Sequence, residues 1–195
     1  MSATPHPIFS YKLVLSDPDR ALTVARSMGN PWTRCQSLAS VAKHAPLSLP
    51  QRIELLREAF EAADHCKDPN RIVTAAAEPL EVLCILGQAE TLKNEISRLL
   101  EIIDREPHPV RRQDALFWVL KMILRGKGPV EIVEKTLVSF IKASRAGHGW
   151  KRNRNLRDMA ELLQPADSGK ALMLVQMIEK PQVRRQALRR TGRKE

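Results

Sequence analysis

Two clusters of basic residues near the end of the chain are the side chains best suited to binding a ligand. Residues 149–195 hold 12 basic and 5 acidic residues, whereas residues 1–148 hold 20 and 17. Arginine dominates both clusters, and its planar guanidinium suits two-point recognition of phosphate or carboxylate groups. The clusters consist of Trp150, Lys151, Arg152, Asn153, Arg154 and Arg157, and of Arg184, Arg185, Arg189, Arg190, Arg193 and Lys194.

The sequence offers no recognisable catalytic, metal or cofactor site. Its three cysteines, Cys35, Cys66 and Cys84, and its five histidines lack the C-x-x-C and H-E-x-x-H spacings that bind zinc. No G-x-S-x-G nucleophile motif occurs. The glycine pairs at residues 126–128 and 147–149 lack the full phosphate-loop pattern and predict turns between helices. We therefore expect no catalytic residue, no bound metal and no cofactor.

Length and composition favour an ordinary helical protein. The chain has 195 residues, 43% of them hydrophobic and only 4% aromatic, and its formal net charge is +10. No apolar run approaches the roughly 20 residues of a membrane span, and residues 1–10 lack the features of a signal peptide. An odd number of cysteines does not suit a disulfide framework. These features predict a soluble, cytoplasmic protein with no membrane partner.

A proline followed by an arginine marks the expected start of a helix at regular intervals along the chain. Proline suits the first turn of a helix, where its missing N–H would have no intrahelical partner. The starts are Pro31, Pro69, Pro109, Gly149 in place of a proline, and Pro181, in steps of 38, 40, 40 and 32 residues. The arginines that follow them are Arg34, Arg71, Arg112, Arg152 and Arg184. Pro79 lies inside the helix that begins at Pro69 and is expected to kink or split it.

Amphipathic segments lie between these starts. Residues 50–65, 89–104 and 129–143 each place their apolar side chains on one stripe at helical spacing. No stretch alternates with a period of two for long enough to indicate a strand. The sequence therefore predicts an all-α fold of about ten helices in about five antiparallel pairs, in which each pair buries its stripe by stacking on the next.

The two ends of the chain share a degenerate repeat at an offset of 150 residues, or about four steps of 37.5. The shared positions are Ala21, Leu22, Met28, Pro31, Arg34 and Leu38, and then Ala171, Leu172, Ile178, Pro181, Arg184 and Leu188. This pattern resembles the HEAT-like repeat family over most of residues 17–192. The resemblance implies a right-handed α-solenoid. Tetratricopeptide repeats, with a step of about 34 residues, are the nearest alternative.

The resemblance also implies a domain organisation and an internal Asp–Arg ladder. We expect residues 1–16 to form an N-terminal segment or cap, residues 17–192 a single repeat domain, and residues 193–195 a basic tail. The last helix pair is expected to cap the array. Asp17 and Asp68 fit the acidic positions of a ladder, whereas the other acidic positions are occupied by Asn30, His108 and Lys180.

Two functions remain open from the sequence. The first is a non-enzymatic scaffold that holds a protein or peptide on the concave face lined by the second helices; the second is a nucleic-acid-binding module that contacts phosphates. The arginines at the repeat position, Arg34 among them, either line this face or pair inside the fold. Trp32 and Trp150 are expected to pack at turns between repeats. The candidate binding residues are Arg112, Arg152, Arg154, Arg157, Arg184, Arg185, Arg189 and Arg190.

Overall fold

The computed structural model describes residues 11–192, and over this range the protein is helical with no strand. The first helices are α1 (Tyr11–Ser16), α2 (Pro18–Ser27), α3 (Pro31–His44), α4 (Leu49–Asp64), α5 (Pro69–Ala75) and α6 (Ala77–Ile85). The remaining helices are α7 (Ala89–Asp104), α8 (Pro109–Arg125), α9 (Val130–Ala146), α10 (Trp150–Leu163), α11 (Ser168–Gln176) and α12 (Pro181–Arg190). None of these helices is both long and apolar enough to cross a membrane.

The helix starts predicted from the proline pattern are confirmed. Helices α3, α5, α8 and α12 begin at the four prolines, and α10 begins directly after Gly149. Side chains cap two of these starts: Asn30 Oδ1 accepts from the Thr33 N–H at 3.3 Å, and Asp68 Oδ1 accepts from the Arg71 N–H at 3.0 Å. Such acceptors satisfy backbone donors that have no partner within the helix.

The described chain contains more helices than the predicted ten for two reasons. The segment that begins at Pro69 is split into α5 and α6 at Ala76, three residues before Pro79, as the proline predicted. A proline removes one backbone donor and crowds the preceding turn, so the helix breaks there. The short helix α1 lies in the N-terminal segment, where it packs on α2 and α3.

Helices contact chiefly those that are near them in the chain. Helix α3 packs on α4 and α6, α6 on α7 and α8, α8 on α9 and α10, and α10 on α11 and α12. Fully buried aliphatic side chains fill these contacts: Leu38, Leu56, Leu80, Leu83, Leu92, Ile96, Leu99, Leu116, Leu120 and Ile123. The core is thus a continuous apolar layer between successive helix pairs.

Each helix that begins at a predicted start (α3, α5, α8, α10 and α12) is the second helix of a pair, and the helix before it (α2, α4, α7, α9 or α11) is the first. Polar contacts also join the first helices of successive pairs. Arg26 of α2 contacts Glu58 of α4 with an N–O distance of 2.6 Å. Helices α4 and α7 are joined by Asp64 and Arg98 at 2.7 Å. The later contacts are Lys135 Nζ to Ser97 Oγ at 2.9 Å and Lys170 to Glu134. Each contact crosses from one helix pair to the next, and so they all reinforce the same neighbour-to-neighbour packing.

Gly126, the residue that ends α8, is expected to be sensitive to a single added methyl group. A Cβ there would lie 2.6 Å from Cys84 Cβ and 2.7 Å from the Glu81 carbonyl oxygen, although its φ of −76° suits alanine. We expect Gly126→Ala to lower the free energy of unfolding by about 1–3 kcal/mol through overpacking. Gly29→Ala is the matched control, because nothing lies within 4 Å of its Cβ position. Urea denaturation measures both; equal midpoints would contradict the α6–α8 contact.

Candidate functional site

Three of the candidate arginines hydrogen-bond carbonyl groups just before their own helix. Arg112 Nη2 donates to the Glu106 carbonyl, Arg152 Nε to that of Ser144, and Arg184 Nη2 to that of Ile178, each at 2.6 Å. These carbonyls lie at or beyond the end of the preceding helix, where no intrahelical donor is available. At the starts of α8, α10 and α12 the arginine therefore closes the turn before its helix, which agrees with the structural interpretation of the repeat position. Arg71 of α5 does not, because its exposed side chain lies 3.9 Å from Asp68 instead.

Arg152 is the most deeply buried of these arginines, with a side chain only 6% exposed. It also donates from Nη1 to Asn153 Oδ1 at 2.8 Å, and Glu179 lies 3.5 Å away. Next to it, Gln113 of α8 is fully buried and donates to Ser144 Oγ and to the Arg152 carbonyl. The prediction that Arg152 forms part of an accessible basic surface is therefore wrong, because a ligand would have to displace this polar network.

Three further candidates lie on the surface but are paired with acids. Arg157 contacts Asp158 at 2.6 Å and Arg190 of α12 contacts Glu161 of α10 at 3.0 Å. Arg154 is 54% exposed and lies 3.6 Å from Asp158. The positive charge of the two sequence clusters is thus partly balanced by carboxylates on α10.

Arg185 and Arg189 alone among the candidates are exposed and have no polar partner within residues 11–192. They lie four residues apart on α12, whose single fully buried residue is Ala187. Helix α12 is the last described helix and packs on α10 and α11, so these arginines face away from the core. Its polar outer surface is typical of a helix that ends a stack. Arg193 and Lys194 lie outside the described residues.

The two tryptophans at helix starts behave differently. Trp32 is partly buried against the core, as expected. Trp150 is 63% exposed, so the prediction that it packs at a turn between repeats is wrong. The Arg154 guanidinium lies over its indole ring, 5.9 Å from the ring centroid. Gly149, with a φ of 98°, precedes Trp150 and supplies no side-chain cap to α10.

Helix α8 contributes residues to this surface that the sequence analysis missed. Asp114 accepts from Lys151 Nζ at 2.8 Å and from Asn155 Nδ2 at 3.2 Å, which ties α8 to α10. Trp118 follows Asp114 by one turn of α8, and the Lys121 ammonium lies 4.6 Å from the centroid of this half-buried ring. The α8–α10 surface is defined here by Asp114, Trp118, Lys121, Trp150, Lys151 and Arg154. Asp114, Trp118, Lys121 and Arg125 recur at helical spacing, a polar stripe that sequence inspection could have found.

A second acid links the surface to the earlier helices. Glu81 of α6 is only 8% exposed, with Lys43 of α3 at 3.0 Å and Arg125 of α8 at 3.3 Å. Glu78, one turn before it, is partly buried without a hydrogen-bonding partner within the described range. Burial, reinforced by the nearby Glu81 carboxylate, raises the pKa of Glu78 above its usual value. Lys43 of α3 and Arg125 of α8 are therefore also committed to an acid of the fold.

The cysteines show none of the activation that a catalytic thiol requires. All three are free thiols, and burial raises the pKa of each, that of Cys84 to about 11. A thiol with a raised pKa is a poor nucleophile at neutral pH. Among residues 11–192, no three His, Cys, Asp or Glu side chains come together in a way that could hold a metal ion.

Comparison with known proteins adds no assignment. No family model, curated protein or solved structure matches this chain. The resemblance to HEAT-like repeats therefore remains a prediction from the sequence pattern, and the surfaces of the protein are the basis for inferring its function.

Because Arg152 is buried, its replacement should lower the free energy of unfolding more than that of an exposed arginine. We expect Arg152→Met to lower the free energy of unfolding by about 1–3 kcal/mol, because it leaves the Ser144 carbonyl without its donor and removes one of the two donors to Asn153 Oδ1. Arg154→Met on the same helix, at a position 54% exposed, should change it by less than about 0.5 kcal/mol. Urea unfolding midpoints measure both; equal losses would show that Arg152 is not structural.

Proposed function

We propose that the chain is a right-handed α-solenoid of HEAT-like helix pairs that acts as a non-enzymatic scaffold, binding a protein or peptide on the α8–α10 surface. The chain-order packing of α3, α6, α8, α10 and α12 supports a stacked array. In such an array these second helices would line the concave side, which is the usual binding surface. The three free thiols suit a reducing, cytoplasmic location.

The observation that carries this proposal is the exposed Trp150 ring of α10 with Arg154 over it, next to a second, half-buried ring–cation contact between Trp118 and Lys121 on α8. Tryptophan and arginine are enriched among the residues that dominate protein–protein binding energy. Trp150 is 63% exposed although indole rings are usually largely buried, and Arg154 holds one face of it. The cations Lys151 and Arg154 have acids within 4 Å, so this surface is not a uniform positive field.

A nucleic-acid function is the second candidate, and one observation favours it. Arg185 and Arg189 are exposed and unpaired on α12 within residues 11–192. Phosphate binding requires several such cations, since the affinity rises with the number of phosphates neutralised. The hydrogen bonds of Arg112, Arg152 and Arg184 to backbone carbonyls argue against a phosphate-binding surface that runs along the starts of α8, α10 and α12.

Site-specific photo-crosslinking tests the scaffold proposal. A photoreactive phenylalanine analogue placed at position 150 should give discrete protein adducts in cell lysate, and nuclease treatment should not remove them. The matched control is the same analogue at Val130, which is 70% exposed on α9 and should give no such adducts. Arg154→Glu should weaken the adducts at position 150. Adducts that disappear with nuclease, or that form equally at both positions, would contradict the proposal.

An oligonucleotide titration of the same protein tests the nucleic-acid candidate. Titration with a labelled single-stranded oligonucleotide should show only weak, non-specific binding, with a dissociation constant of about 10⁻⁴–10⁻⁶ M at physiological salt. Tighter binding that Arg185→Glu with Arg189→Glu abolishes, with helicity unchanged, would favour the nucleic-acid function instead.

A further inference from the structure

An open cleft of about 600 Å³ lies between α9 and α11, away from the residues of the α8–α10 surface. Its lining comprises Val138, Ile141, Lys142, Arg145, Ala146 and Met173, and the name α9–α11 cleft refers to these residues. We propose that this cleft binds an amphipathic helical segment of a partner protein that carries apolar side chains flanked by aspartate or glutamate. The inference goes beyond the scaffold function above, since it assigns a second surface and the chemistry of its ligand.

The cleft arises from a difference in helix length. Helix α9 has 17 residues and α11 has 9, so α9 is longer by about 12 Å. Glu134 near the start of α9 pairs with Lys170 near the start of α11, which sets the two helix starts side by side. The last turns of α9 therefore extend past the end of α11. Helices α7 and α9, with 16 and 17 residues, match in length and pack directly on each other.

Helix α9 carries a second apolar face where the cleft lies. Its first face buries Leu137 and Phe140 in the core. Toward the cleft, Val138 is 65% exposed, and Ile141, one helical turn further along, is half-buried and lines the cleft while also packing against the core. An exposed aliphatic residue alone needs no explanation, but together with Met173 across the gap it forms an apolar floor. Apolar side chains of a docked helix, spaced by one turn, would fit along this floor.

The cations at the cleft define the charge of the ligand. Lys142 and Arg145 have no ion pair or hydrogen bond with any residue between 11 and 192. By contrast, the nearby outer-surface cations Lys135 and Lys170 contact Ser97 and Glu134 of neighbouring helices. A helix C-terminus favours a cation in its last turn, which accounts for Arg145 but not for the exposed Val138 two turns before it. Carboxylates beside the apolar side chains of a ligand would pair with both cations.

The lining also argues for a protein segment rather than a small molecule. A volume of about 600 Å³ falls within the range of ligand sites. Such sites usually enclose their ligand and direct several polar groups at it. Here the cleft is open along one side, and its only charged side chains are two cations on one helix. This arrangement resembles the groove-and-helix mode of peptide recognition, in which apolar anchors give affinity and flanking charges give specificity.

A defined peptide probe tests the proposal on the full chain. The probe is a fluorescein-labelled helical peptide of about 18 residues with leucines at i, i+4, i+7 and i+11 and glutamates beside them. A peptide of the same composition with its leucines spread round the helix is the control. Fluorescence anisotropy should show saturable binding of the first peptide and at least about tenfold weaker binding of the second.

Matched variants locate the binding and test the charge. The double variant Lys142→Glu with Arg145→Glu should weaken peptide binding at least about tenfold. The control double variant, Lys180→Glu with Arg185→Glu, makes the same change in net charge at exposed residues away from the cleft, and it should change the affinity less than about twofold. A probe with lysines in place of the glutamates should prefer the first double variant to the wild type. Val138→Glu should weaken binding, with Val130→Glu as its control at a position 70% exposed on the same helix.

Three outcomes would overturn the proposal: no saturable binding of the patterned peptide, equal binding by the two double variants, or complete displacement of the peptide by a single-stranded oligonucleotide. None of these results depends on the residue at position 150. Failure of the cleft is therefore distinguishable from failure of the scaffold proposal, which the crosslinking experiment tests separately.

Discussion

The burial of one helix pair's apolar side chains against the next pair is the interaction on which the rest of the structure depends. Helix α8 shows this most clearly, since it buries eight of its side chains and packs on α5, α6, α9 and α10. No single helix pair could shelter a stripe of this width from water. Because each helix relies on its neighbours in the chain for burial, the exposed features described above lie on the sides of α8, α10 and α12 that face away from this packing and in the α9–α11 cleft.

The same packing determines where the basic residues can act. The net charge of +10 suggests at first that the arginines bind an anionic ligand. Each tight turn between helices leaves carbonyl groups without donors, and Arg112, Arg152 and Arg184 satisfy them from the start of the next helix. The exposed groups include the Trp150–Arg154 contact on α10, the unpaired Arg185 and Arg189 on α12, and two unpaired cations beside the α9–α11 cleft. The first and the last of these are the features on which the proposed binding of protein segments rests.

The sequence predicted the helices well because their signals are local. Proline in a first turn and the break before Pro79 act through the backbone of a few residues, and both occur where the pattern placed them. The candidate site was less predictable. The burial of Arg152 involves the Ser144 carbonyl of the preceding helix and Glu179 beyond α11, and no local signal around Trp150 indicates that its ring is exposed. The cleft depends on the relative lengths of α9 and α11, and the sequence analysis did not assign α11 separate bounds.

The central claim, that stability is built from contacts between neighbouring helix pairs, is tested most directly by hydrogen exchange on a variant disrupted at one end. Ala187 is fully buried where α12 packs on its neighbours, so Ala187→Asp should undock that helix. The account predicts faster amide exchange in α11 and α12, with the protection of α3 to α6 unchanged. A uniform loss of protection from α3 to α12 would mean that the chain folds as one indivisible core, and it would contradict the account.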